Sequence, residues 1–104
     1  LAKSYIQEHV EERLTLNDVS AAVHISPNYL SSLFMRQLSI GFVDYVNQIK
    51  MKRACELLEA GHYLIYEVAN RLGYENAYYF SKVFRKYIGC TPKEYQLRSG
   101  KRNN

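Results

Sequence analysis

Apolar residues recur along this chain at i, i+3 and i+4 rather than at every second position, the spacing that gathers them on one face of an α-helix. Leu1, Tyr5, Ile6, His9 and Val10 form one such stripe, which predicts a first helix running to about Arg13. Thr15 and Asp18 stand where a capping box needs them, and Leu14 and Val19 flank them as a hydrophobic staple, so a second helix starts at Thr15. Ser26 before Pro27 supplies an N-cap and an N1 proline for a third, buried through Leu30, Leu33, Phe34 and Leu38. Phe42, Tyr45, Val46, Ile49, Arg53, Ala54, Leu57 and Leu58 keep the rhythm until Gly61 and predict one long helix over 42–59. Residues 65–72 read as a short helix stopped by Gly73. Asn76 caps the next, whose inner face is Phe80, Val83, Phe84 and Tyr87 and which Gly89 ends. Thr91-Pro92-Lys93-Glu94 opens a last short helix through Tyr95. The expected class is all-α, with seven helices.

Two stretches of the chain echo each other. Ser26-Pro27-Asn28-Tyr29-Leu30-Ser31-Ser32-Leu33-Phe34 matches Asn76-Ala77-Tyr78-Tyr79-Phe80-Ser81-Lys82-Val83-Phe84 at a constant offset of 50. The short helices before them share Asp18-Val19 and Glu67-Val68 at an offset of 49. A short helix, a tight turn and a longer capped helix make a helix-turn-helix unit, so the repeat predicts two units joined by the long helix. The organisation expected is a single domain over 1–104: a first unit at 1–40, a linker helix at 41–61, a second unit at 62–99 and a basic tail at 100–104. In the later repeat the apolar face leaves Tyr78, Ser81, Lys82 and Arg85 as an outward stripe, and in the earlier one it leaves Asn28, Ser31, Ser32 and Met35. Arg36 and Lys86 flank the two stripes as counterparts. Ten tyrosines raise the idea of base stacking, but Tyr5, Tyr45, Tyr79 and Tyr87 fall at core spacing and Tyr78 alone is placed outward.

Charge sharpens the picture once it is located. The chain of 104 residues has a formal charge of +4, with three Lys/Arg against five Asp/Glu in residues 1–49 and eleven against five in residues 50–104. From Lys82 onward seven basic residues face Glu94 alone. A field so polarised favours a polyanionic partner. Hydrophobic residues at 47% and charged ones at 23% are ordinary globular usage, which argues against a disordered chain or a disulfide scaffold. Cys55 and Cys90 lack C-x-x-C spacing, so a reducing cytoplasm is expected; Cys55 reads as a packing residue and Cys90, after Gly89, as a partly exposed turn residue.

The stretch Gly73-Tyr74-Glu75-Asn76-Ala77-Tyr78-Tyr79-Phe80-Ser81-Lys82-Val83-Phe84-Arg85-Lys86-Tyr87-Ile88-Gly89-Cys90-Thr91-Pro92-Lys93-Glu94-Tyr95 is similar to the C-terminal signature of the AraC/XylS family of bacterial transcription regulators. Ser26-Pro27 with Tyr29-Leu30-Ser31-x-x-Phe34, and Phe42-x-x-Tyr45 followed by Ala54-x-x-Leu57-Leu58, extend the resemblance over residues 1–96. It implies a sequence-specific binder of double-stranded DNA that is monomeric alone, sits with the nucleoid, and puts two recognition helices in adjacent major grooves. Carried over, the contacts to DNA would come from Asn28, Ser31, Ser32, Met35, Arg36, Ala77, Tyr78, Ser81, Lys82, Arg85 and Lys86, with the caps Ser26 and Asn76 near phosphates. The family usually carries this domain behind a regulatory one, so this chain is expected to be a piece of a longer regulator, and its motifs also resemble response-regulator members; RNA polymerase is a further expected partner. The chain departs from the pattern at several positions. His24 and Ser39 stand at common glycine positions and Gly41 at a Ser/Thr cap, while Lys50 and Gln96 replace arginines.

Other chemistries find little support. His9, His24 and His62 lie far apart with no Cys or His at ligand spacing, so neither a metal nor a cofactor is expected. No phosphate-cradling glycine loop, nucleophile elbow or acid pair appears, and no enzyme is predicted. The rival from another class is a helical module whose outward faces bind a partner protein.

Overall fold

In a computed structural model that describes residues 1–99, the chain folds as α1 (Ala2–Glu8), α2 (Leu16–Ala22), α3 (Pro27–Leu38), α4 (Phe42–Ala60), α5 (Ile65–Arg71), α6 (Ala77–Ile88) and α7 (Pro92–Ser99). No strand occurs among the described residues. The expected basic tail at 100–104 lies outside them.

The caps read from the sequence start the helices. Thr15 Oγ1 accepts from Asp18 N at 3.0 Å and Asp18 accepts in return from Thr15 N, closing the box at α2. Ser26 accepts from Tyr29 N at 3.1 Å and Asn76 from Tyr79 N at 2.7 Å, so α3 and α6 begin alike. Thr91 and Glu94 close the box of α7. Gly41 caps α4 without a side-chain bond, as a glycine there must. His24 at φ 62° and Ser39 at φ 57° adopt the left-handed backbone that the glycines of the pattern would supply.

Two ends differ from expectation. The first helix stops at Glu8 instead of continuing to Arg13, because residues 9–13 form a loop that packs elsewhere. Its stripe contributes Ile6 at 0% exposure, whereas Leu1 is 89% exposed. The last helix continues past Tyr95 to Ser99, since no breaker interrupts it before Gly100.

There are two apolar cores, and α4 runs through both. Ile6, Val19, Leu30 and Phe34 meet Phe42 and Val46 from the first half of α4. Val68, Ala69, Leu72, Phe80, Val83 and Phe84 meet Met51, Ala54, Leu57 and Leu58 from its second half. Burial of Phe80 and Phe84 alone contributes roughly 2–3 kcal/mol each. The result is a rod of 48 × 22 × 22 Å, with one helix-turn-helix subdomain at each end of the linker helix. Among the described residues, no helix is long and apolar enough to cross a membrane.

Candidate nucleic-acid interface

The exposed faces of α3 and α6 are built by the same device. Each helix is 12 residues long, begins at a polar cap and turns its apolar stripe into its own core. On α6, Tyr78 is 75% exposed and the Lys82 ammonium lies 5.5 Å from the centre of its ring. Lys82, Arg85 and Lys86 are exposed, and none takes part in an ion pair among the described residues. Three arginines elsewhere are paired: Arg13 with Glu75, Arg53 with Glu11 and Glu56, and Arg71 with Glu11. Arg85 and Lys86 also occupy the last turn of α6, where positive charge opposes the partial negative charge of the helix end.

On α3, Asn28, Ser32, Met35 and Arg36 are exposed. Ser31 and its counterpart Ser81 are half-buried, as is Ala77, so these three line the inner margin of the stripes. The caps Ser26 and Asn76 spend their side-chain oxygens on the backbone of their own helices, accepting from Tyr29 N and Tyr79 N.

One residue was misplaced by the spacing argument. Tyr79, grouped above with the core tyrosines, is 54% exposed, and Tyr29 at the equivalent point of α3 is 51% exposed. Tyr79 precedes Phe80 by one residue, about 100° around the helix, and shares the flank of Lys82 and Lys86. The offset of 50 was the available signal, because it pairs two tyrosines whose neighbours Leu30 and Phe80 already fill the core. Cys90 is a second correction: it is 6% exposed, packed under the turn instead of displayed on it. Cys55 is half-buried, and burial pushes its thiol up, with Glu59 and Glu56 adding to the shift. Among the described residues no group of His, Cys, Asp and Glu is arranged to hold a metal.

Sequence reasoning also missed the polar seam behind the two faces. Lys50 is buried at 4% exposure and donates to the carbonyls of Val10 at 2.6 Å, Glu12 at 2.5 Å and Leu72 at 2.7 Å. Burial pushes the Glu11 carboxyl up, but hydrogen bonds from Arg53 and Arg71 outweigh it and hold the group below the usual carboxylate range. Tyr74 donates to Asn47 at 2.7 Å and Tyr87 to Asp44 at 2.6 Å; burial raises both phenols. Gln96, at the position of a pattern arginine, donates instead to the Tyr63 carbonyl at 3.1 Å.

Two capped helices exposing polar stripes at the ends of one linker helix define a tandem helix-turn-helix domain. Residues 19–98 match the helix-turn-helix domain family, and the chain belongs to it. The type is that of AraC. The chain is 37% identical over 95 residues to an uncharacterised HTH-type transcriptional regulator of Escherichia coli K12, YpdC, covering 91% of this chain and 33% of that protein. It thus spans about a third of the length of the curated relatives it matches. Among solved structures it is similar to the C-terminal domain of AraT, a response regulator from Geobacillus stearothermophilus, with 38% identity, a TM-score of 0.88 and coverage of 93% of this chain and 81% of that one. A transcriptional regulator from Chromobacterium violaceum, described by its AraC-type DNA-binding domain, superposes with a TM-score of 0.87 at 25% identity, over 96% of this chain and 89% of that one.

Proposed function

We propose that this domain binds double-stranded DNA sequence-specifically and serves a bacterial transcription regulator, with α3 and α6 entering adjacent major grooves. The observation that carries the reading is the repetition itself. Two helices of equal length, capped alike and seated on separate cores, expose their stripes from one rod. The linker helix of 19 residues spans about 28 Å at about 1.5 Å per residue, close to the roughly 34 Å between major-groove faces on one side of B-DNA. The unpaired cations on α6 supply the phosphate term. The AraC-type DNA-binding domain of the Chromobacterium protein supports the same partner.

In this reading Asn28, Ser31, Ser32 and Met35 on α3 and Ala77, Tyr78, Ser81, Lys82 and Arg85 on α6 face base edges. Arg36 and Lys86 hold flanking phosphates, which also approach the capped helix ends at Ser26 and Asn76. The units divide at 1–40, 41–61 and 62–99. The domain acts as a monomer without enzymatic chemistry, in the cytoplasm at the nucleoid, and is joined to a regulatory domain through which a signal reaches RNA polymerase. The likeness to AraT supports a receiver as that domain.

Selection from a randomised duplex pool, followed by titration at rising salt, tests the reading. With about 6–10 phosphate contacts, affinity falls about 10³–10⁵-fold between about 50 and about 200 mM salt. Affinity indifferent to salt would favour contact with a partner protein instead.

A further inference from the structure

Lys50 stands at the junction of the two cores. On α4 it follows Val46, which packs in the first core, and precedes Met51, which packs in the second. A buried ammonium is tolerated where its three donors are all satisfied, and here they meet three main-chain carbonyls. Those acceptors belong to different bodies: Val10 and Glu12 lie in the loop between α1 and α2, while Leu72 closes α5 of the second subdomain. The loop is also pressed directly onto the turn between α5 and α6. A Cβ on Gly73, whose φ is 85°, would meet Arg13 Cα and N at 3.1 Å and Glu12 C at 3.2 Å. Glu11 of the same loop holds Arg53 of α4 and Arg71 of α5 at 2.9 Å each.

We propose that Lys50 is a positioning residue for DNA reading: its ammonium, closed on carbonyls of both subdomains at the junction of their cores, fixes the mutual orientation of α3 and α6. The consequence for DNA rests on the function proposed above; the fixed orientation itself does not. Methionine, an unbranched apolar side chain one heavy atom shorter than lysine, would satisfy packing alone. It would leave three carbonyls without donors, and the loop would part from the second subdomain. Each helix-turn-helix unit keeps its own core and stays folded. Two tethered units bind their blocks together only as well as their geometry is prepared, so loosening the junction weakens the two-block site and spares each block alone.

Residual dipolar couplings on the full 104-residue chain test this without DNA, and titration with duplexes tests the consequence. In the wild type a single alignment tensor fits both subdomains. Lys50→Met retains a dispersed spectrum but needs two tensors, loses about tenfold in affinity for the two-block duplex and keeps its affinity for one block. Lys50→Arg, which keeps the cation, restores one tensor. A single tensor in Lys50→Met with the wild-type orientation would overturn the proposal. Should Lys50→Met lose its dispersed spectrum, Lys50→Gln carries the same test: its shorter amide offers two donors in place of three and no charge, and two tensors are expected where one would overturn. Split tensors in Lys50→Met beside a wild type with one tensor that binds no duplex would uphold the fixed orientation and overturn the DNA-binding reading.

Discussion

His24 and Ser39 hold a left-handed backbone that costs a side chain with a Cβ about 1–2 kcal/mol and glycine nothing. His24 is exposed, so His24→Gly releases that strain at little loss of contact. Part of the gain is offset by the freer unfolded chain, which leaves a net stabilisation of up to about 1 kcal/mol in urea unfolding. A loss of stability would show that the imidazole makes compensating contacts. Lys50 gives a second prediction at this scale. Burial lowers its ammonium from 10.5 to about 8, with Glu12 and Glu11 opposing the shift. Between those values the unfolded chain binds more protons than the folded one, so this residue makes stability rise with pH across that window. The ceiling is about 3 kcal/mol, reduced by three carbonyls that favour the charged form. The raised phenols of Tyr74, Tyr87 and Tyr95 act the other way above about pH 10, where they protonate the folded state preferentially. The stability difference between wild type and Lys50→Met is therefore expected to grow by about 1–2 kcal/mol from about pH 7.5 to about pH 9.5. A constant difference would show that Lys50 does not titrate there.

At the scale of elements the two reading helices are alike in build and unlike in chemistry. The α6 stripe offers Lys82, Arg85 and the Tyr78 ring, whereas Asn28, Ser31, Ser32 and Met35 on α3 carry no charge. Arg and Lys pair with the guanine edge and Asn with the adenine edge, each good bidentate contact giving about 1–3 kcal/mol of discrimination. Lys82→Ala and Arg85→Ala are expected to cost more affinity, and to lower the salt slope by about one where the lost contact is to phosphate. Asn28→Ala relaxes base preference in the other block. Titrations against single-base-substituted duplexes decide it; silent Lys82→Ala and Arg85→Ala beside a dead Asn28→Ala would reverse the assignment. The helices themselves were legible in the sequence because their starts are chemical: Thr15 with Asp18, Ser26 with Pro27, Asn76, and Thr91 with Glu94 each form the cap their type and spacing announce. The end of α1 was not legible. Residues 9–13 are held by Lys50 and Arg53, some 40 residues away in the chain, and no local pattern shows such a partner. Tyr79 was misread because a periodic stripe one residue wide cannot separate a flank from a face.

Across the whole molecule, the candidate interface was legible as a repeat and the seam that joins its halves was not. The offset of 50 places Asn28 against Tyr78 and Ser31 against Ser81 from the sequence alone. Lys50 looked like a plain substitution for a linker arginine, since burial of a charge against main-chain carbonyls depends on where distant loops end. That seam decides whether the rod behaves as one body of 48 Å or as two modules on a helix. One rigid body reads two blocks about 10 bp apart and has no second register to fall back on. The most direct measurement is therefore the affinity of the full chain for its selected two-block duplex, against the same duplex with about 5 bp inserted between the blocks, which turns one block about half a helical turn away. The insertion is expected to abolish specific binding and leave only the salt-sensitive, sequence-independent affinity. Unchanged specific affinity after the insertion would show that the two helix-turn-helix units do not read DNA as one rigid body.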